Sequence, residues 1–380
     1  MKKILYLILL ILSACQLATP FSSVTVTFTV YAPGLPDTAM VFIAGNQRKL
    51  GNWRPDRIPL KRIEKQKFQR VFRFPAGTHL EYKFTLGSWD TEALDERKRP
   101  FANFILDPQK DTTVVFHCSR WRRSRRVSST ENVVGRLCFH RQIEGVALKS
   151  RDVVVWLPPG YDEAPERRYP VLYMHDGQNL FDPDLAGFGV EWRMDEVADS
   201  LIRGHLIEPL IIVGIYNSTD RSLEYGLTRQ GKAYRQFVVE TVKPLIDLNY
   251  RTLTDRKYTA TGGSSMGGLV AFMLAWEYPH IFSKALCLSP AFRYDRFDYA
   301  RTIQKSEPRS PDLQFYIDNG GLDLEAQLQP GIDAMLSFLR ERGWRDGQNL
   351  FWLKDPLAPH HESAWAQRLP QALQFLFPQK

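Results

Sequence analysis

From residue 24 to about 118 the chain alternates apolar and polar positions with the period of two that a half-buried strand requires. The runs are VTVTFTVY, TAMVFIAG, KFQRVFRFP, LEYKFTLG and DTTVVFHC, with turn residues between them at short intervals. This spacing predicts an antiparallel β-sandwich over residues 22–118. From about residue 133 the texture changes. Apolar strand candidates (DVVVWLP, YPVLYMHD, LIIVGIY, YTATGG, KALCLSP, LQFYIDNG and NLFWLKD) alternate with helical stripes. In one stripe Tyr234, Phe237, Val238, Val242, Leu245 and Ile246 share a face; in another Ile332, Met335, Leu336 and Leu339 do. Strands alternating with helices predict an α/β domain over 133–380 with a mostly parallel sheet covered on both faces.

Between the two lies SRWRRSRRVSSTEN, residues 119–132, basic and without an apolar period, which is read as a linker. No nucleic-acid-binding motif accompanies its arginines, so no nucleic-acid partner is expected. The formal charge is +8 on 380 residues, with 44% hydrophobic and 12% aromatic content. That is enough apolar material for two cores and excludes bulk disorder.

The first residues, MKKILYLILLILSACQLATP, set two lysines before an apolar run too short to cross a bilayer. Leu12-Ser13-Ala14-Cys15 resembles a bacterial lipobox, which makes residues 1–15 a leader and Cys15 the acylated first residue of the mature chain. The expectation is an exported lipoprotein of the outer membrane or periplasm, touching membrane through its lipid anchor only. Export permits disulfides, and Cys118 with Cys138 are the candidate pair. Cys287, in an apolar strand, is expected to be a buried small hydrophobe. There is no CxxC and no metal-ligand spacing.

The chemistry concentrates in KYTATGGSSMGGLVAFMLA, residues 257–275. Gly263-Ser264-Ser265-Met266-Gly267 fits G-x-S-x-G only when centred on Ser265, with a strand leading in and an apolar helix leading out. Such a turn exposes the serine hydroxyl and aims the next amide, Met266 N–H, at a developing oxyanion. The serine needs a base and the base an acid, both following it in the chain. His280, at the end of the next helix, lies too close in sequence. His360 and His361, in KDPLAPHHESAW, lie in a loop after the last strand, and by chemistry alone either serves. The acid candidates are Asp323, Asp318 and Glu325, in FYIDNGGLDLEAQL.

From about Gly135 onward these motifs, with VVVWLPPGYDE, YPVLYMHDGQNLFD, FVVETVKPLIDLNYRT and HHESAW, resemble the esterase family of α/β-hydrolases that includes feruloyl and siderophore esterases. The resemblance implies His360 as base, five residues before Trp365, and Asp323 as acid, three residues after Gly320. It also implies Gln178 N–H, in HDGQNLF, as the second oxyanion donor. The implied activity is hydrolysis of carboxylic esters, with no metal or organic cofactor required. Two alternatives remain: a glycan-binding surface lipoprotein with a degenerate hydrolase domain, and an acyltransferase on the same triad. Trp192, Phe292 and Tyr294 are candidate pocket walls.

In the first domain VTVTFTVYAPG, VFIAGNQRKLGNWRPD and GTHLEYKFTLG resemble the starch-binding, family-20 carbohydrate-binding modules. That resemblance implies Trp53 as a sugar-stacking residue and Lys83 as a sugar ligand, with a polysaccharide as partner. Trp89 falls closer to the lysine than the family's second stacking tryptophan does, and is read as structural.

Overall fold

The computed structural model describes residues 22–36, 38–96, 100–122, 133–187, 189–294, 297–305 and 312–379. Cys15 and residues 123–132 of the expected linker lie outside them. The first domain is a sandwich of β1 (Ser23–Tyr31), β2 (Phe42–Gly45), β3 (Lys61–Glu64), β4 (Lys67–Pro75), β5 (Leu80–Thr85), β6 (Phe104–Leu106) and β7 (Thr112–His117). One sheet runs β3-β4-β1-β7 and the other β2-β5-β6. Every second residue of β1 (Val26, Phe28, Val30) is buried between the sheets, where Phe28 meets Tyr82 edge-on at 4.8 Å. The sandwich is not wholly antiparallel as expected, because β7 pairs with β1 in parallel. Its core also reaches past residue 118: Trp121 is buried with it and bridges Ala93.

The second domain carries the strands β8 (Arg136–Gly145), β9 (Leu148–Leu157), β10 (Val171–His175), β11 (Ile211–Ile215), β12 (Thr259–Ser264), β13 (Lys284–Leu288), β14 (Arg293–Tyr294), β15 (Phe297–Asp298), β16 (Gln314–Asn319) and β17 (Leu350–Lys354). Its helices are α1 (Met194–Arg203), α2 (Arg221–Glu224), α3 (Arg229–Phe237), α4 (Lys243–Asn249), α5 (Met266–Glu277), α6 (Tyr299–Ile303), α7 (Leu324–Glu341) and α8 (Glu362–Leu376). The eight-stranded sheet runs β17-β16-β13-β12-β10-β11-β9-β8. It is parallel from β11 to β17 and antiparallel at β8 and β9.

This is the expected α/β-hydrolase architecture. The predicted stripe at 234–246 becomes α3 and α4 joined by a π-helical turn at Val238–Val242. With α5 and α7 it covers one face of the sheet, while α1 and α8 cover the other. All but the last residues of α5 are apolar on every side because the helix is buried throughout.

Cys118 and Cys138 are not bonded. Cys118 Sγ instead donates to Arg120 C=O at 2.8 Å, and Cys287 is fully buried. The domains touch through Arg54 and Asp220 (3.4 Å), and through Arg122, which donates to Ala186 C=O at 3.3 Å.

The glycines around Ser265 are set by close approach. A Cβ on Gly263 would stand 2.6 Å from the carbonyl carbon of Gly267, and one on Gly262 would stand 2.5 Å from Met174 Sδ. The helix start therefore crosses directly over the strand end. Gly263→Ala is expected to cost about 4 kcal/mol or more, because backbone meets the new methyl and cannot yield. Chemical denaturation of the purified variant measures it.

Candidate active site

Strand β12 ends at Ser264, and the chain turns into α5 through Ser265, which sits at φ 55°, ψ −122°. No non-glycine residue adopts that conformation cheaply, so the surroundings hold it. Ser265 N–H donates to Leu288 C=O at 2.9 Å, and its own carbonyl accepts from Ala291 (3.0 Å) and Leu269 (3.1 Å). The backbone of one residue is thus tied to β13, to the loop after it and to α5. Ser264 is buried, while Ser265 and Met266 are partly exposed. As the first residue of the helix, Met266 carries an N–H that no helical carbonyl claims.

The neighbouring strand β10 ends in His175-Asp176, and Gln178 lies on the single 3-10 turn that follows, Gly177–Asn179. Asp176 enters this turn in the left-handed region (φ 59°, ψ 42°). Its buried carboxylate accepts two bonds from Arg221 (Nε and Nη2, both 2.7 Å) and one from Asn217 Nδ2 (2.6 Å). Burial opposes that charge, but Arg221 first and then Asn217 hold the Asp176 carboxyl below its usual range. Gly177 lies so close to β11 that a Cβ would stand 2.2 Å from the carbonyl carbon of Gly214. His175 is an interior group. Its Nδ1 meets Tyr234 Oη at 2.8 Å and its Nε2 meets Thr261 Oγ1 at 3.3 Å, and burial drives its pKa down to about 3.

Of the two histidines, His361 caps α8: its Nδ1 accepts from Ser363 N–H at 3.3 Å. His360 turns inward. Its Nδ1 lies 3.3 Å from Glu325 Oε1, and its ring stands edge-on to Trp365 with centroids 5.0 Å apart. The Nδ1–carboxylate contact is close but bent outside hydrogen-bond geometry; catalytic pairs commonly tighten on binding substrate.

The carboxylate beside His360 is Glu325, whereas the structure does not bring the expected Asp323 to the ring. Asp323 is the N-cap residue of α7, exposed, and among the described residues neither an ion pair nor a hydrogen bond joins it to His360. Its own strained backbone (φ 51°, ψ −118°) starts the helix so that the residue two positions later points inward. Gly320 must be glycine for this: a Cβ there would stand 2.7 Å from Glu325 Cγ and 2.3 Å from Ala358 C=O.

Glu325 is fully buried. Ser289 Oγ donates to its Oε1 at 2.7 Å and in turn accepts from Trp365 Nε1 and Arg368 Nη2, both at 3.0 Å. Arg368 also grips Asp318, with Nε to Oδ2 at 2.8 Å, and Asp318 Oδ1 accepts Ser289 N–H at 2.8 Å. Asp318 is thus committed to Arg368 rather than to histidine. Burial alone would raise the Glu325 carboxyl, but His360, Ser289 and the Gly320 amide bring it below its ordinary value.

The expected wall residues divide. Trp192 and Phe292 are buried in the two cores, Trp192 against Trp365 at 5.5 Å and Phe292 against Phe272 at 5.2 Å, while Tyr294 is partly exposed. In the sandwich Trp53 is half-buried, with its ring 6.4 Å from that of Trp89. Lys83 differs from expectation. It is buried, and its Nζ donates to Glu92 Oε2 at 2.9 Å. An ammonium enclosed and paired in this way is not presented to a sugar.

A hydroxyl on a strained strand-to-helix turn, beside the end of β10, together with a histidine next to a buried carboxylate, fits a serine-hydrolase site. Residues 148–376 match the Putative esterase family, and the chain belongs to it; it is a serine carboxylic ester hydrolase. Residues 23–96 match the starch binding domain family.

One relative is an endo-1,4-beta-xylanase/feruloyl esterase of Xylanibacter ruminicola, 26% identical over 235 residues, which are 60% of this chain and 30% of that protein. Among solved structures, a ferulic acid esterase aligns with a TM-score of 0.54 at 20% identity, over 64% of this chain and 98% of its own. The enterobactin esterase of Shigella flexneri aligns with a TM-score of 0.54 at 15% identity, over 92% of both chains.

Because the Glu325 carboxyl is lowered by folding, its contribution to stability is complete above its ordinary pKa of 4.5 and is lost as pH falls through the lowered native value. Melting temperature measured from neutral pH down to about 3 should accordingly fall less steeply below 4.5 in Glu325→Gln than in the parent chain.

Proposed function

We propose that the protein cleaves carboxylic esters with Ser265 as nucleophile, His360 as general base and then acid, and Glu325 as the orienting carboxylate. His360 takes the Ser265 proton as the hydroxyl adds to the ester carbonyl, and the imidazolium formed is steadied by Glu325. The N–H groups of Met266 and Gln178 receive the oxyanion. Collapse of the tetrahedral adduct expels the alcohol, which takes the proton from His360. Water activated by the same histidine then releases the acid. The observation that carries this reading is the close approach of His360 Nδ1 to a buried Glu325, downstream of a serine held at a strained elbow. Aromatic acyl esters are the class favoured, through likeness to ferulic acid and enterobactin esterases.

The starch-binding match and the half-buried Trp53–Trp89 pair support an ester attached to a polysaccharide. Arg54, next to Trp53, pairs with Asp220, next to the Arg221 that holds the oxyanion turn. A glycan on those tryptophans would be held beside the esterase domain. At the N-terminus we extend the reading to lipidation of Cys15 and an envelope location, supported by the charged, apolar leader. Incorporation of a clickable fatty acid by the expressed parent, absent in Cys15→Ser, is the expected result.

Ser265→Ala should abolish hydrolysis of p-nitrophenyl acetate and of methyl ferulate, by at least about 10³-fold in kcat, with an unchanged melting profile. Glu325→Gln should lower kcat by about 10²- to 10⁴-fold, whereas Asp323→Asn should stay within a few fold. Equal losses at 323 and 325 would put the acid elsewhere.

A further inference from the structure

Away from the catalytic groups, where the chain enters α1, three carboxylates converge. Glu191, Asp195 and Glu196 each present an oxygen, and all three oxygens lie within 4.8 Å of one another. That is about the span across a Ca²⁺ ion whose ligands stand at roughly 2.4 Å. Carboxylates in solvent gather without consequence, but here one is buried and the other two are partly buried. Asp195 is fully buried, and its Oδ1 has no hydrogen-bond partner. Its other oxygen, Oδ2, accepts Val134 N–H at 2.7 Å.

Glu191 Oε2 and Glu196 Oε2 are likewise buried and unpartnered. Asp182, 2% exposed, lies near enough for its charge to act on Glu191. Its Oδ2 has no partner either, while Oδ1 accepts Asp184 N–H at 2.8 Å. Among the described residues the one cation paired with the group is Arg193, whose Nε reaches Glu196 Oε1 at 3.2 Å from a largely exposed side chain. Among the described residues four carboxyl groups thus share one peripheral arginine, and buried carboxyl oxygens without donors are costly. Burial, followed by their mutual repulsion, pushes Glu191 up to about 8 and Asp195 up to about 7.

We infer that Glu191, Asp195 and Glu196, with Asp182 beside them, form a binding site for a hard divalent cation, Ca²⁺. Oxygen-only donors, several of them anionic, suit that ion, and water completes its coordination. The site differs from the catalytic centre but is connected to it. Trp192, flanked by Glu191 and Arg193, packs on Trp365, whose ring borders His360. Trp192 N–H donates to Asn179 C=O at 2.8 Å, and Asn179 belongs to the oxyanion turn. A cation here would tie Asp182 and residues 191–196 to the start of the second domain at Val134. It would thereby hold the packing behind the base and the turn that carries Gln178.

The test uses the full chain, stripped with EDTA and desalted. Tb³⁺ should emit on excitation through tryptophan, Trp192 being adjacent, and Ca²⁺ should quench that emission by competition. Saturating Ca²⁺ should raise the melting temperature by about 5 °C. Asp195→Asn and Glu196→Gln should each weaken Ca²⁺ binding at least tenfold. If Asp195→Asn does not fold, the less buried Glu196→Gln still decides the matter. Absence of terbium emission with a melting temperature unmoved by about 10 mM Ca²⁺, beyond the range of even weak extracellular calcium modules, would overturn the inference. So would an unchanged affinity in Glu196→Gln. All these readouts are independent of ester hydrolysis.

Discussion

The second domain turns on a carboxylate that must stay charged without water. Glu325 has no solvent exposure, and desolvation alone would protonate it. What keeps it ionised is a set of polar groups arriving from separate parts of the chain: His360 from the loop before α8, Ser289 from the end of β13 and the Gly320 amide from the end of β16. Ser289 can serve only because Trp365 and Arg368 fill its acceptor side, which leaves its proton for Glu325. Arg368 is in turn neutralised by Asp318. The His360–Glu325 contact and the Arg368–Asp318 ion pair therefore share one hydroxyl. Removing a partner from such an arrangement strands a buried charge, which costs more than the pair contributes.

This arrangement explains why the carboxylate beside His360 is a glutamate two residues beyond the expected aspartate. The position of a helix's first residues about its axis is set by the backbone torsions of the residue before it. Here that residue is Asp323, held at positive φ, and from there Glu325 faces inward while Asp323 faces water. Sequence carries the carboxylates and the glycine turn, but not the torsion that selects among them. The strand–turn–helix around Ser265 was legible because its determinants are local: glycines at fixed offsets, forced by backbone within a few residues or by side chains of the adjacent strands. The choice between His360 and His361 was legible only through family spacing. Their distinct roles, one facing Glu325 and one capping α8, rest on tertiary contacts.

The sheet order was out of reach for a related reason. Strands could be read from apolar runs, but β11 inserts between β9 and β10, and nothing in the composition of LIIVGIY specifies that. Strand β8, with its polar, partly exposed edge pattern, carried no clear apolar signal at all. The acidic cluster by α1 was invisible to a search for cysteine and histidine spacing, since oxygen ligands contributed by a loop and the first turn of a helix leave no such signature.

Lys83 illustrates how docking of two domains can reassign a residue. Its motif belongs to a sugar-binding surface, yet its charge is felt at Glu362 and His361, in the first turn of α8 and at its cap. Glu362 is nearly enclosed. Burial and Asp176 raise its carboxyl, Lys83 and Arg221 draw it back, and it settles at about 7. The sandwich therefore supplies one of the cations that balance the carboxylates between the oxyanion turn and the histidine loop, through an ammonium that Glu92 holds in place. An isolated second domain would lose that cation and leave Arg221 to offset Asp176 at Glu362. The electrostatics behind the site are in this respect a property of both domains.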